Sequence, residues 1–310
     1  MKVSIIGAGN VGGLLALRLL EFNLGEIVLI DIAEGLAKGK ALDLEDCSAV
    51  YKYNSRIKGS QNFEEIANSN IVIITAGFAR KPGMLREELL KKNALIVKDI
   101  ALKIKEFSPQ AIVLVVTNPV DILTYLVLKI TKFSPKKVLG VGLNLDTARF
   151  INLISKELNI SCSEIEAMVI GAHSETMLVL ERFSFIKGIP LSQFLDQDTI
   201  KRLKEETINR GAKIVSFYGS GSAYFAPASA TAEVVKAILK DERKSLCVSS
   251  YLEGEYGLKD ICIGAPCILG KNGREKIIEL ELNPSELALF LKSADSLNQQ
   301  KEILKKDGLL

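Results

Sequence analysis

The chain has a single histidine, His173, and its five cysteines, Cys47, Cys162, Cys247, Cys262 and Cys267, are odd in number, scattered and never paired as C-x-x-C. No His/Cys set with metal-ligand spacing can be assembled from these, which speaks against a zinc module or a metal-dependent hydrolase. The cysteine pattern reads as reduced, small apolar side chains and predicts a cytoplasmic protein. No uncharged apolar stretch of 18 residues occurs, so no membrane span is expected, and the run Val3 to Ile6 before Gly7 is too short for a signal peptide. There is no run of five like charges. With 40 Lys plus Arg against 37 Asp plus Glu, the net charge is only +3, and neither a nucleic-acid nor a membrane partner is indicated. Internal repeats, low-complexity tracts and Gly/Ser-rich linkers are also missing.

What remains is 310 residues, 48% apolar and 25% charged, enough for two domains and a sizeable core without disulfides or a structural metal. The first half alternates short β-branched runs with amphipathic stretches. Strands are predicted at Val3–Ile6, Ile27–Ile30, Ile71–Thr75, Ala111–Val116 and Val138–Leu139, with helices near Val11–Glu21, Ala33–Asp46, Glu87–Glu106 and Val120–Lys132. This is the βαβ signature of an α/β fold with a doubly wound parallel sheet of five or six strands. From Asn144 the rhythm becomes mixed. A helix is expected to about Asn159, then an antiparallel ribbon from Ala167–Ile170, Met177–Leu180 and Phe183–Ile186. Helices follow at Thr199–Tyr218 and Pro227–Lys240, with short strands near Cys247–Tyr251, Ile261–Ile263 and Lys276–Leu280. Pro284 opens a last helix. The boundary falls near Gly142, giving a parallel α/β domain over 1–142 and a mixed α+β domain over 143–310.

The strongest local signal is Gly7-Ala8-Gly9-Asn10-Val11-Gly12, directly after a strand and opening a helix. The first glycine permits the tight turn, the second lets backbone approach a pyrophosphate, and the third lets helix and strand pack closely. The helix N-terminus then offers free N–H groups to the phosphates. Asp31 ends the second strand, nineteen residues beyond Gly12. An acid there accepts from both ribose hydroxyls and repels a 2′-phosphate, so NAD is favoured over NADP. The plainer alternative is a Gly-rich turn beside a surface Asp.

A lone histidine is more often structural than catalytic, but His173 sits in Gly171-Ala172-His173-Ser174-Glu175, a turn between two apolar runs, where a site loop is natural. The basic loop Ala76–Arg86 follows a parallel strand at its carboxyl end and carries the Gly and Pro of a segment suited to act as a lid. Asp146 and Arg149 lie three apart on a helix, which by itself describes an i, i+3 surface pair.

Taken with Thr117-Asn118-Pro119-Val120-Asp121 and Gly221-Ser222-Ala223-Tyr224, these motifs stand in the order found in the NAD-dependent lactate/malate dehydrogenase family, which the chain resembles along its whole length. It is most similar to the lactate-dehydrogenase-like malate branch. The resemblance implies a Rossmann domain followed by a substrate-binding catalytic domain, a homo-oligomer (dimer or tetramer), and a small dicarboxylate substrate. It implies His173 as acid/base with Asp146 on its other ring nitrogen, Arg149 as the clamp for the substrate's C1 carboxylate, and Arg86 as the group that polarises the carbonyl. Arg80 would pair with the second carboxylate and favour oxaloacetate over pyruvate, because a buried arginine left unpaired costs about 3 kcal/mol. Asn118 would touch cofactor and substrate, Asn93, Val116 and Thr117 would line the nicotinamide half of the NAD site, and Ser222 would face the substrate pocket. The chain departs from the family at Ser174-Glu175, where most relatives have Gly-Asp, so no role is carried over there. The alternatives are an L-lactate dehydrogenase, which shares every residue except the Arg80 signal, and a non-catalytic NAD-binding protein.

Overall fold

The computed structural model describes residues 1–78 and 85–310 and, of Arg86, the backbone. Strands β1 (Lys2–Ile6), β2 (Glu26–Ile30), β3 (Arg56–Ser60), β4 (Ile71–Ile74), β5 (Ile112–Val115) and β6 (Val138–Gly140) pair in parallel in the order β3-β2-β1-β4-β5-β6. Between them run helices α1 (Asn10–Glu21), α2 (Leu36–Tyr51), α3 (Arg86–Phe107) and α4 (Val120–Thr131).

The strands read as continuous apolar runs because both faces are covered. Ile71 and Ile73 of β4 and Ile112 and Leu114 of β5 join the core layer containing Leu15 and Leu19 of α1. Their alternates Val72, Ile74, Val113 and Val115 join the layer containing Val97 of α3 and Leu123 of α4. This period-two division across one sheet is the doubly wound arrangement expected from the sequence. Helix α4 is buried along most of its length, which explains its near lack of a polar face.

The second half continues with α5 (Leu143–Leu158), β7 (Ile165–Glu166), β8 (Val169–Ile170), β9 (Leu178–Val179), β10 (Phe185–Ile186), β11 (Ile189–Pro190), α6 (Gln197–Tyr218), α7 (Phe225–Leu239), β12 (Lys244–Glu253), β13 (Lys259–Gly270), β14 (Gly273–Ile277) and α8 (Pro284–Lys306). The antiparallel character expected after Asn144 is present: β8 pairs with β9, and β10 pairs with both β7 and β11.

Several expectations need correction. Strand β3 has no counterpart among the expected strands. It is an edge strand, and Arg56, Lys58 and Gly59 leave it without an apolar run. Helix α2 begins at Leu36 and runs five residues past Asp46. Strands β12 and β13 are longer than their apolar cores suggest, and β14 starts three residues before the expected Lys276–Leu280 and ends at Ile277. They also extend the nucleotide-domain sheet: β12 pairs antiparallel with β6 at Ser249 and Gly140, so the described residues form one nine-stranded sheet from β14 to β3. Among the described residues no helix is long and apolar enough to cross a membrane.

Candidate active site

The carboxyl ends of β1, β2, β4, β5 and β6 open on one edge of the sheet, and the direction of strand order reverses between β1 and β4, where open α/β sheets bind ligands. At that point the glycine turn is locked by contacts no side chain could share. Gly7 has φ +109° and its N–H donates to Ile30 O at 2.7 Å. A Cβ on Gly12 would stand 1.8 Å from the Gly7 carbonyl oxygen, so the turn and the first turn of α1 touch through backbone alone. Gly9 differs: a Cβ there would meet nothing within 4 Å. Gly9 caps α1 without a side-chain hydrogen bond, so the first N–H groups of the helix are left for a ligand.

Asp31 borders the same space. Its Oδ2 accepts from Ala8 N at 2.6 Å and its Oδ1 from Ala33 N at 2.9 Å, which fixes the carboxylate while leaving each oxygen a further lone pair. The residues present therefore fit a dinucleotide: Gly7 to Gly12 would hold its pyrophosphate and Asp31 its adenosine ribose. Lys40 of α2, not singled out from sequence, donates from Nζ to Gly9 O at 3.0 Å, passing over Gly13, and adds a positive charge to this turn.

Val116, Thr117 and Asn118 follow β5. The Thr117 hydroxyl donates to Ala76 O at 2.8 Å and Ile74 O at 3.2 Å, tying this loop to the one after β4. Asn118 is exposed and joined to Pro119 by a cis peptide bond. Asn93 of α3 is fully buried, and its amide binds main chain: Nδ2 donates to Asn118 O at 2.7 Å and Phe78 O at 3.1 Å, and Oδ1 accepts from Phe78 N at 2.7 Å. Asn93 thus shapes the loops that follow β4 and β5. Ser222 lies exposed between α6 and α7, and no hydrogen bond among the described residues ties it to the other candidates. Arg80 lies outside the described residues, and Arg86 is the first residue of α3, its side chain likewise outside them.

The remaining candidates converge. Helix α5 starts directly after β6 with Gly142 as its cap, and its first turn brings Asp146 and then Arg149 to the strand ends. Asp146 is completely buried. Its Oδ2 lies 2.5 Å from His173 Nδ1 and its Oδ1 accepts from Arg149 Nη1 at 2.8 Å. The His173 ring packs on Gly142, where a Cβ would stand 2.8 Å from Cγ, so the residue at the start of α5 must have no side chain.

The loop holding His173 is fixed from behind by α8. Ser293 Oγ accepts from Ala172 N at 2.8 Å and pairs with Thr176 Oγ1 at 3.1 Å. Ser174, one of the two departures from the family pattern, pairs with the Thr176 hydroxyl at 2.9 Å and accepts Thr176 N at 3.2 Å, so the substitution builds a hydroxyl-linked turn.

The electrostatics suit acid/base chemistry. Burial presses the imidazole towards its neutral form. The charge of Asp146 and its hydrogen bond, joined by the charge of Asp121, outweigh burial and the opposing Arg149, holding the His173 pKa above its ordinary value. With Nδ1 given to Asp146, Nε2 is the nitrogen left to exchange a proton. Arg149 is 11% exposed, and its Nε is buried without a partner among the described residues. A guanidinium beside an imidazole can bind a carboxylate while the ring moves a proton to or from the adjacent carbon's oxygen.

Residues 1–140 match the lactate/malate dehydrogenase NAD binding domain, and residues 144–307 match the lactate/malate dehydrogenase alpha/beta C-terminal domain. The chain is 47% identical over 299 residues to a malate dehydrogenase of Methanosarcina mazei, covering 96% of this chain and 97% of that protein. Its structure is similar to that of malate dehydrogenase from Cryptosporidium parvum, with TM-score 0.96 and 38% identity over 98% of this chain and 99% of that one. It also resembles a lactate dehydrogenase of the same organism, complexed with lactic acid and nicotinamide adenine dinucleotide, with TM-score 0.95 and 34% identity over 98% of each chain.

Proposed function

The chain belongs to the lactate/malate dehydrogenase family, and on that premise we propose that it catalyses the NAD-dependent interconversion of (S)-malate and oxaloacetate. The observation that carries this reading is the Asp146 carboxylate shared between His173 and Arg149. Malate is favoured over lactate because relatives at 45 to 47% identity bear the malate name, and because the sequence supplies Arg80.

NAD, held by the Gly7–Gly12 turn and Asp31, would supply the acceptor for the hydride on C2 of malate. Arg149 holds the C1 carboxylate with two parallel N–H donors, which fixes C2 beside His173. His173 Nε2 accepts the C2 hydroxyl proton as the alcohol is oxidised, and in reduction returns it to the forming alkoxide. Asp146 keeps the proton of the neutral ring on Nδ1 and stabilises the imidazolium. Arg86 polarises the carbonyl as charge grows on its oxygen. Arg80 pairs with the C4 carboxylate, and a substrate with a methyl group there leaves that charge without a partner. Asn118 and Ser222 complete the substrate side, and Val116, Thr117 and the Asn93-braced loop complete the cofactor side.

The reading includes residues 1–142 as the cofactor domain, residues 143–310 as the substrate domain, and a cytoplasmic homo-oligomer. Exposed Phe217, Tyr218 and Phe225 around the α6–α7 turn support assembly. The test is NADH oxidation by the purified protein with oxaloacetate. Turnover that requires NADH supports the reading, and no turnover overturns it.

A further inference from the structure

His173 is held by a second carboxylate as well. Its backbone N–H donates to Asp121 Oδ2 at 2.8 Å, from a residue 52 positions earlier in the chain. Asp121 is 3% exposed, and its other oxygen, Oδ1, is buried with no hydrogen-bond partner among the described residues. A buried carboxyl oxygen without a partner is costly, so its surroundings must account for it.

The groups facing it come from four elements. Ser249 of β12 and the His173 N–H favour the charged carboxylate, as does the imidazolium, while Asp146 of α5 opposes it. The Cys262 thiol of β13 lies near enough for the Asp121 charge to disfavour its own ionisation. Arg149, beyond Asp146, opposes the charge on His173. Burial pushes the Asp121 carboxyl upward. Against burial stands its place in the first turn of α4, where the helix N-terminus stabilises an anion. Asp121 closes the Thr117–Asp121 segment.

We propose that Asp121 is a positioning residue for His173: one oxygen pins the backbone of the acid/base residue, and its negative charge, with that of Asp146, stabilises the protonated imidazole. This rests on His173 acting as the acid/base of the proposed reaction. The division of labour is distinct, since Asp146 orients the ring through Nδ1 whereas Asp121 acts through the main chain and through space.

Because His173 is the only histidine, its imidazole gives a single histidine signal in NMR, and the proton can be followed without turnover. Asp121→Asn keeps an oxygen to accept the His173 N–H and removes only the charge. The expected result is a His173 titration midpoint lower by about one pH unit. The limb on which oxaloacetate reduction is lost at high pH should move by the same amount, with NADH affinity unchanged. A titration curve superimposable on that of the unaltered protein overturns the inference, because a purely structural role survives in Asn. Should Asp121→Asn fail to fold, Asp121→Ser, which also offers an uncharged acceptor, gives the same two outcomes. If oxaloacetate is not turned over at all, the functional reading falls while the titration still decides the role of Asp121.

Discussion

Arg149 donates to Asp146 at 2.8 Å through the carboxylate that also holds His173, so the guanidinium and the imidazole share one buried support. Helix α5 sets this geometry: Asp146 and Arg149, three residues apart, project from one side of its first turns, and Gly142 leaves room for the ring.

Replacing Asp146 with Asn keeps the shape but removes the larger of the two carboxylate charges that help outweigh burial at His173. We expect kcat to fall by about two to four orders of magnitude, as for other His–Asp couples. Reduction needs the imidazolium, so its rate is full below the His173 midpoint and declines as pH rises through it; oxidation has the opposite dependence. Since the pKa is raised in the intact protein, reduction should persist above the ordinary histidine value of about 6.5, and Asp146→Asn should move the decline to lower pH. Initial rates across pH in both directions check this, and an unmoved limb contradicts it.

For Arg149→Lys the charge remains and the two-pronged donor is lost. The expected outcome is a fall in kcat/KM for oxaloacetate of about 100-fold or more, carried mainly by KM. NADH binding, measured by fluorescence titration, should stay near its original strength. Weakening of NADH binding by a similar factor would place Arg149 elsewhere.

Gly12→Ala drives a methyl group to within 1.8 Å of the Gly7 carbonyl, a backbone contact that cannot yield locally. The overpacking should cost about 3 kcal/mol and lower Tm by roughly 5 to 10 °C. NADH affinity should drop at least about tenfold as the turn is displaced from the helix N-terminus. Calorimetry and a binding titration on one preparation separate the two effects.

The parts legible in sequence were those fixed by local pattern. The Gly7–Gly12 turn and Asp31 are close in the chain, and β4 and β5 are uninterrupted apolar runs because both their faces are buried. Strand β3 escaped because an edge strand carries Arg56, Lys58 and Gly59 without loss. The pairing of β12 with β6 escaped because Ser249 and Gly140 meet through register, which no local period encodes. The site divides similarly. Asp146 and Arg149 alone read as a surface pair, and only the family resemblance joined them to His173, 27 positions from Asp146. The contacts of Lys40 with Gly9, Ser293 with Ala172 and Asp121 with the His173 backbone join distant segments, and no motif announced them.

The central claim is a dicarboxylate-specific site built on His173, Asp146 and Arg149, with Arg80 choosing the substrate. It is tested most directly by initial rates of NADH oxidation with oxaloacetate and with pyruvate, on the native protein and on Arg80→Gln. The account predicts that oxaloacetate is preferred by at least about two orders of magnitude, a guanidinium in the site left without its carboxylate costing about 3 kcal/mol, and that Arg80→Gln narrows or reverses this. Equal rates, or a preference for pyruvate in the native protein, would contradict it.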